Sequence, residues 1–190
     1  MLSEQDFLKG TAAQTHTDLR GRMEEYDRQV NRRESSGVIQ RIRRASETWQ
    51  RDLGLSVQPK SRKRSQSDAI GILLALAYPD RIAQRQPDDT RRYKMANGRL
   101  ARFHQPDPLE HEEYLVIADL DGTQPVSRIY LASPVDRDDL LKHFSDLLQR
   151  NECITWNEST LSVLASRHLR LGELILEETR LHQPDPESVV

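Results

Sequence analysis

Pro79 constrains the fold of this chain more than any other residue, because it interrupts an apolar helix at a defined point. Proline lacks a backbone N–H and disfavours the helical conformation of the residue before it, so the helix that begins near Ser67 must end or kink at Tyr78. The periodicity predicts that its buried stripe consists of Ile70, Leu73, Leu74 and Ala77. Proline also suits the first turn of a helix, so we expect a second, short helix carrying Arg81 and Arg85.

After Arg92 the apolar residues alternate as they do in strands. Asn97-Gly98 favours a hairpin, because both turn positions tolerate a positive φ, and a two-residue turn would set Met95 opposite Leu100. The strongest strand patterns cover residues 113–122 and 127–133, and further strand-like runs cover 153–156, 161–165 and 172–176. These runs predict antiparallel strand pairs followed by a last group of shorter strands.

Helical patterns flank the strands. One amphipathic helix is predicted over residues 17–31, and a second over 38–53, with Ile42, Ala45 and Trp49 on one face. The basic segment 58–67 is expected to be a linker, and a further helix should follow Asp136. The helical and strand patterns together therefore predict an α+β fold class.

Charge is distributed unevenly along the chain. The formal net charge is −2, yet residues 1–104 sum to +8 and residues 105–190 to −10. Such asymmetry indicates either a nucleic-acid contact surface or docking between oppositely charged parts. A single cysteine excludes an intrachain disulfide framework, and no apolar stretch is long enough to span a bilayer, so we expect a cytoplasmic protein without a membrane partner.

A dense basic set lies around the predicted hairpin. Its members, with one interleaved aromatic, are Arg81, Arg85, Arg91, Arg92, Tyr93, Lys94, Arg99 and Arg102. Arginines beside an exposed ring on a small β-sheet are how OB-type barrels hold single strands, with phosphates on the cations and bases on the rings. We therefore predict that these residues bind nucleic acid. The competing interpretation is that Tyr93 and Phe103 belong to the core and the arginines are merely solvated.

Two other groups of residues could carry chemistry. Asp119 and Asp121, in the segment IADLDGT, resemble the first motif of haloacid-dehalogenase-type phosphotransferases, in which one aspartate attacks phosphorus and Mg²⁺ neutralises charge. We favour instead an Asp-Gly turn between antiparallel strands. The group His104, His111, Glu112 and Glu113 has the composition of a metal site, but its spacing fits no standard one.

Four ordered segments resemble a known family. They read LLALAYPDRIAQR, RRYKMANGRLARF, EYLVIADLDG and SRIYLASPVDRDDL, and together they resemble the C-terminal part of the bacterial HrpB-type ATP-dependent helicases of the DEAH/RHA group. The resemblance implies three parts. Residues 1–66 would be the end of a helicase-associated helical domain with its linker, 67–148 an OB-like domain, and 149–190 the truncated start of a C-terminal domain. With the resemblance, the expected α+β fold consists of an N-terminal helical segment, a small antiparallel OB-like β-barrel and an incomplete β-rich C-terminal piece.

The resemblance also implies where chemistry would and would not occur. No phosphate loop, DEAH box or arginine-finger motif is found in the sequence, so we expect no catalytic residue and no cofactor in this chain. ATP and Mg²⁺ would belong to the motor of a parent helicase, from which this chain would be a fragment. The expected partners are single-stranded nucleic acid, RNA before DNA, and the missing motor domains. The remaining alternative is a protein-docking module whose acidic half binds a basic partner.

Overall fold

Helices and strands occupy largely separate stretches of the chain, as expected of an α+β protein. The computed structural model describes residues 17–32, 37–54, 66–122, 125–157 and 162–181. Its helices are α1 (Leu19–Asn31), α2 (Gly37–Asp52), α3 (Gln66–Ala77) and α4 (Arg137–His143). Its strands are β1 (Ile82–Gln86), β2 (Asp89–Met95), β3 (Leu100–Arg102), β4 (Tyr114–Leu120), β5 (Val126–Pro134), β6 (Leu148–Asn157), β7 (Ser162–Leu171) and β8 (Leu174–Leu181). Within these ranges no helix combines the length and apolarity needed to cross a bilayer.

The first five strands close into a barrel in the order β1-β2-β3-β5-β4. Neighbours pair antiparallel except β3 and β5, which are parallel. The remaining three strands form a separate antiparallel sheet, in the order β6-β7-β8. The predicted α+β fold with a small OB-like barrel is confirmed.

Strand β4 is the centre of the core because both of its faces are buried. Leu115 and Ile117 point into the barrel, where Tyr93 and Phe103 meet edge to face with ring centroids 5.8 Å apart. The alternate residues of β4 face outward into a second cluster that also contains residues of α3, α4 and the three-stranded sheet. A strand buried on both faces reads as a continuous apolar run, which is why this segment is the strongest strand signal in the sequence.

Helix α3 packs on β4 and β5 through a glycine. A Cβ placed at Gly71 would lie 2.0 Å from the carbonyl oxygen of Pro134, so the helix backbone rests directly on the end of β5. The buried face is Gly71, Ile72, Leu74 and Ala75. The predicted stripe was partly wrong, since Leu73 and Ala77 are exposed. Periodicity of apolar side chains cannot identify a contact that a glycine makes.

Pro79 does end α3, but no second α-helix follows. A single 3-10 turn, Pro79–Arg81, leads directly into β1 at Ile82. Arg85 therefore lies in a strand, and the predicted helical placement of this residue was wrong. Pairing of β1 with both β2 and β4 outweighs the local helical preference of the segment.

The Asn97-Gly98 hairpin exists, but its register differs by one residue from the prediction. Lys94 pairs with Leu100, and the connection is a four-residue loop in which the Met95 N–H donates to the Arg99 carbonyl at 2.8 Å. Because successive strand residues face opposite sides, burial of an inward face decides register. The observed register turns Tyr93 and Ala101 into the barrel together.

The N-terminal helices match their predicted positions. The Asp18 carboxylate caps α1 by accepting from the Arg20 N–H at 2.8 Å. In α2, Ile39 is buried, whereas Trp49, on the apolar face predicted from the sequence, is 64% exposed. Residues 33–36 and 55–65, which include most of the predicted linker, lie outside the described residues.

The three-stranded sheet meets the barrel through the turn between β7 and β8. Gly172 has a φ of +57°, and a Cβ there would lie 2.4 Å from the Ala96 carbonyl oxygen. The next residue, Glu173, donates its N–H to the same carbonyl at 2.9 Å and places its carboxylate 3.8 Å from the Lys94 ammonium. Farther along β8, the Arg137 guanidinium of α4 donates to the Leu176 carbonyl at 3.0 Å. The strands of this sheet are longer than the runs predicted for them.

The 3-10 turn Pro108–His111 closes one end of the barrel. The Tyr93 hydroxyl, inside the barrel, lies 2.9 Å from the carbonyl oxygens of both Leu109 and Glu112. Burial raises the pKa of this hydroxyl well above its ordinary value. Arg85 donates to the His111 carbonyl at 3.0 Å and holds the same turn from outside.

Replacing Gly71 by alanine is expected to destabilise the protein by about 1–3 kcal/mol, the typical cost of forcing atoms into a packed site. The added methyl would push α3 away from β5. Urea unfolding followed by circular dichroism measures the change. Gly122→Ala is the matched control, because a Cβ at Gly122 has no atom within 4 Å. Equal stability of the two variants would contradict the close helix–strand contact.

The Tyr93→Phe variant is expected to lose about 1–3 kcal/mol of unfolding free energy, the cost of leaving buried polar groups without their partner. The substitution keeps the ring in the core and removes only the hydroxyl that the barrel-closing turn uses. Urea unfolding measures the loss, with Tyr130→Phe, at an exposed ring, as control. A Tyr93→Phe variant as stable as that control would show that the hydroxyl does not hold the turn.

Candidate nucleic-acid interface

Three arginines lie side by side across the outer face of the barrel. Arg92 of β2 pairs with Arg102 of β3, and Arg102 pairs in turn with Arg128 of β5. Their strand neighbours Tyr93, Ala101 and Ser127 are fully buried, so alternation points the arginines outward. We call Arg92, Arg102 and Arg128 the arginine row.

An exposed aromatic ring lies next to the arginine row. Tyr130 follows Arg128 by two residues on β5, and so shares its outward face. The guanidinium carbon of Arg128 lies 5.1 Å from the centre of the Tyr130 ring, within the range of a cation–π interaction. The ring remains 42% exposed and can still stack on a planar group.

Two carboxylates occupy the other end of the arginine row. Asp88 lies in the turn between β1 and β2, and Asp89 is the first residue of β2; we call these two residues the acidic turn. Asp88 is in direct contact with the Arg92 guanidinium, and Asp89 lies 3.5 Å from the Arg102 guanidinium. Arg128 has no carboxylate partner among the described residues. The positive charge of the row is therefore partly neutralised at Arg92 and Arg102, whereas that of Arg128 is not paired with a carboxylate of the described residues.

Only two residues of the predicted basic set join the arginine row, namely Arg92 and Arg102. The side chain of Arg81 turns to the other side of the barrel, where it donates to the Ala118 carbonyl at 3.0 Å and lies over the Tyr78 ring. Arg85 holds the barrel-closing turn, as described above. Both arginines therefore donate to backbone carbonyls of the barrel and its end.

The remaining predicted cations lie around the loops. Arg99 donates at 3.3 Å to both the Gly122 carbonyl and the Ser127 hydroxyl, which ties the β2–β3 loop to the β4–β5 connection. Lys94 faces Glu173 of the three-stranded sheet. Arg91 is half-buried on β2, between the acidic turn and Arg92.

Tyr93 does not lie on the surface where base stacking would need it. Its ring is fully buried inside the barrel, and Phe103 beside it is buried as well. Successive residues of a strand face opposite sides, so the Tyr93 ring, which follows Arg92 in sequence, points into the barrel while Arg92 points outward. We therefore leave Tyr93 out of the interface that we propose below.

Sequence reasoning missed Arg128 and Tyr130. A signal was present, because the segment SRIYLAS alternates between buried Ser127, Ile129 and Leu131 and the two exposed residues. That alternation alone does not say which strand lies beside β5. The parallel pairing with β3, which joins Arg128 to the row, spans residues far apart in sequence.

The two aspartates of IADLDGT lie in an antiparallel hairpin. Asp119 is exposed on β4 and pairs with Leu131 of β5, and Asp121 accepts from the Arg128 N–H at 2.7 Å. Both neighbours of β4 run antiparallel to it, unlike the parallel sheet that the phosphotransferase motif needs. Within the described residues no group of three or more His, Cys, Asp or Glu could hold a metal ion, so the suspected group around His111 is not assembled.

The chain was compared with known proteins. No family model matches it. The curated ATP-dependent RNA helicase HrpB of Escherichia coli (strain K12) is 34% identical over 125 residues, which are 65% of this chain and 15% of that protein. The chain therefore spans less than a sixth of the length of this curated relative.

Two solved structures are similar. The crystal structure of the E. coli DExH-box NTPase HrpB matches 64% of this chain with 33% identity and a TM-score of 0.55, over 15% of its own length. The crystal structure of the Escherichia coli DEAH/RHA helicase HrpB matches 96% of this chain with a TM-score of 0.63, over 23% of its own length. Because the sequence identity is 22%, this match shows similarity of fold only. The resemblance stated from the sequence is thus confirmed: over about two thirds of its length, this chain is similar to part of an HrpB-type ATP-dependent helicase.

Proposed function

We propose that this chain is the C-terminal accessory region of an ATP-dependent helicase, and that it binds single-stranded nucleic acid on the outer face of its barrel. The observation that carries the proposal is the arginine row with the exposed Tyr130 ring beside it. The similarity to HrpB supplies the helicase context. That relative is named an RNA helicase, so we propose RNA as the strand before DNA.

The arrangement suits a strand held without regard to its sequence. Adjacent strands lie ~4.8 Å apart, so three arginines on successive strands cover about 10 Å across the barrel. Each guanidinium can donate two parallel hydrogen bonds to phosphate oxygens. Tyr130 offers a ring face to a base, and base stacking is tolerant of sequence because every base has a π-face. Binding of this kind is expected to depend steeply on salt.

We further propose that the chain docks on a helicase motor that it does not itself contain. Trp49 and Leu53 at the end of α2 are largely exposed, and together they form an apolar edge that a partner domain could cover. Trp156 of β6 pairs with Val163 of β7, and both side chains are more than half exposed. In this proposal residues 1–66 end a helical domain, 67–148 form the OB-like domain, and 149–190 begin the next.

ATP hydrolysis would belong to that motor. ATP and Mg²⁺ would bind there, and the accessory region would guide the strand that the motor moves. The phosphotransferase alternative is not favoured, because Asp119 and Asp121 belong to an antiparallel hairpin.

Replacing Arg92, Arg102 and Arg128 together by alanine is expected to weaken binding of a fluorescein-labelled 12-nucleotide oligo(U). Fluorescence anisotropy over a salt series should also show the slope of log K against log salt falling by about 2, because each phosphate contact in a single strand contributes ~0.7. The matched control is the triple alanine variant of three arginines of the three-stranded sheet. They are Arg150, Arg167 and Arg180.

Equal loss of affinity in the two triple variants would mean that overall charge, and not the arginine row, attracts the strand. Absence of binding by the wild type at low salt would leave the barrel face as a docking surface for protein.

Tyr130→Ala is expected to weaken the same complex by about 1–3 kcal/mol, the usual contribution of stacking one base on an aromatic side chain. The salt slope should stay as in the wild type, because no cation is removed. Tyr130→Phe keeps the ring and serves as the control, with affinity retained. If the alanine and phenylalanine variants bind alike, the ring does not stack on a base.

A further inference from the structure

We propose that the acidic turn is a built-in competitor for phosphate at the arginine row. In the absence of a strand, the carboxylates of Asp88 and Asp89 take the places of two phosphates on Arg92 and Arg102. This inference rests on the proposed function, and it adds a regulating element to the same site.

The carboxylates are placed for this role by the hairpin itself. Only Pro87 and Asp88 separate β1 from β2, so the acidic turn is short and lies next to the first strand of the row. The Asp89 carboxylate also accepts from the Arg91 N–H at 3.0 Å, which orients it at the start of β2. A ligand tethered this closely has a high effective concentration and needs little ordering to bind.

The pairs are close but open to exchange. The Asp88 side chain is 63% exposed and that of Arg92 34% exposed. Ion pairs with this much exposure contribute little stability, so an incoming anion can replace the carboxylate at small cost. The Nε of Arg92 is buried and has no hydrogen-bond partner in the part of the chain that the structure describes, which means that Asp88 does not satisfy the whole guanidinium.

The competition favours ligands that present several phosphates in succession. A single anion can displace one carboxylate, but the other remains on its arginine and repels it. A polynucleotide first meets Arg128, which has no carboxylate partner among the described residues, and its following phosphates then reach Arg102 and Arg92. The acidic turn thus raises the number of linked phosphates that a ligand needs in order to bind the arginine row.

The test compares two double variants of equal charge, measured on the full chain with labelled 12-nucleotide oligo(U). Asp88→Asn/Asp89→Asn keeps the oxygen that accepts from Arg91 but removes both charges from the arginine row. Asp138→Asn/Asp146→Asn removes two charges from α4 and the turn after it, away from the row. We expect about tenfold tighter binding from the first and less than twofold from the second, in line with the release of two exposed ion pairs.

Asp88→Asn alone, at an exposed side chain in contact with Arg92, is expected to give about threefold tighter binding even if the double variant folds poorly. Higher affinity for oligo(U) in the acidic-turn variants but not in the control pair supports the proposal. Oligo(U) binding that is detected in the acidic-turn variants but not in the wild type supports it as well. Equal tightening by the control pair would overturn it in favour of general electrostatics. Unchanged or weaker affinity, with the wild type still binding, would overturn it alone. If no variant binds oligo(U), the proposed function fails and this inference fails with it.

Discussion

Barrel closure depends on one parallel pairing, that of β3 with β5. β3 is only three residues long, yet without its pairing to β5 the five strands would form an open sheet, joined only through β1 and its two neighbours β2 and β4. The same pairing sets Arg102 beside Arg128, so the contact that closes the core also assembles the surface row. A substitution that disturbs the interior at Ala101 or Ser127 would therefore alter the spacing of the charges outside. Core and site are not independent parts of this protein.

The elements with strong local signals could be predicted from sequence. The run around Val116 was recognisable because burial on both faces leaves no polar position in it, and Pro79 marked the end of α3 for a covalent reason. Register and helix face were harder, because both depend on contacts with distant residues. Gly71 contributes no apolar side chain to a periodic pattern, yet it decides which face of α3 is buried.

The candidate site shows the same division more sharply. The basic residues that cluster in the sequence do not form one surface in the structure. About half of these residues donate to backbone carbonyls or pair with the three-stranded sheet. Arg128 lies more than twenty residues beyond that cluster and joins the row only through β3. Composition can therefore indicate that a basic surface exists, but the strand order decides which residues lie on that surface.

The turn at Gly172 couples the two β-units mechanically. Its backbone presses on Ala96, and Glu173 holds Lys94 from the same position, so the β2–β3 loop is held by the sheet on one side and by Arg99 on the other. A loop held at both sides has few conformations to lose when a ligand arrives. Because this turn connects the two sheets, we expect a displacement of β7 and β8 to shift β2 and β3, which carry Arg92 and Arg102. Under the proposed function, the position of the three-stranded sheet would then alter the spacing of the arginines that hold the strand.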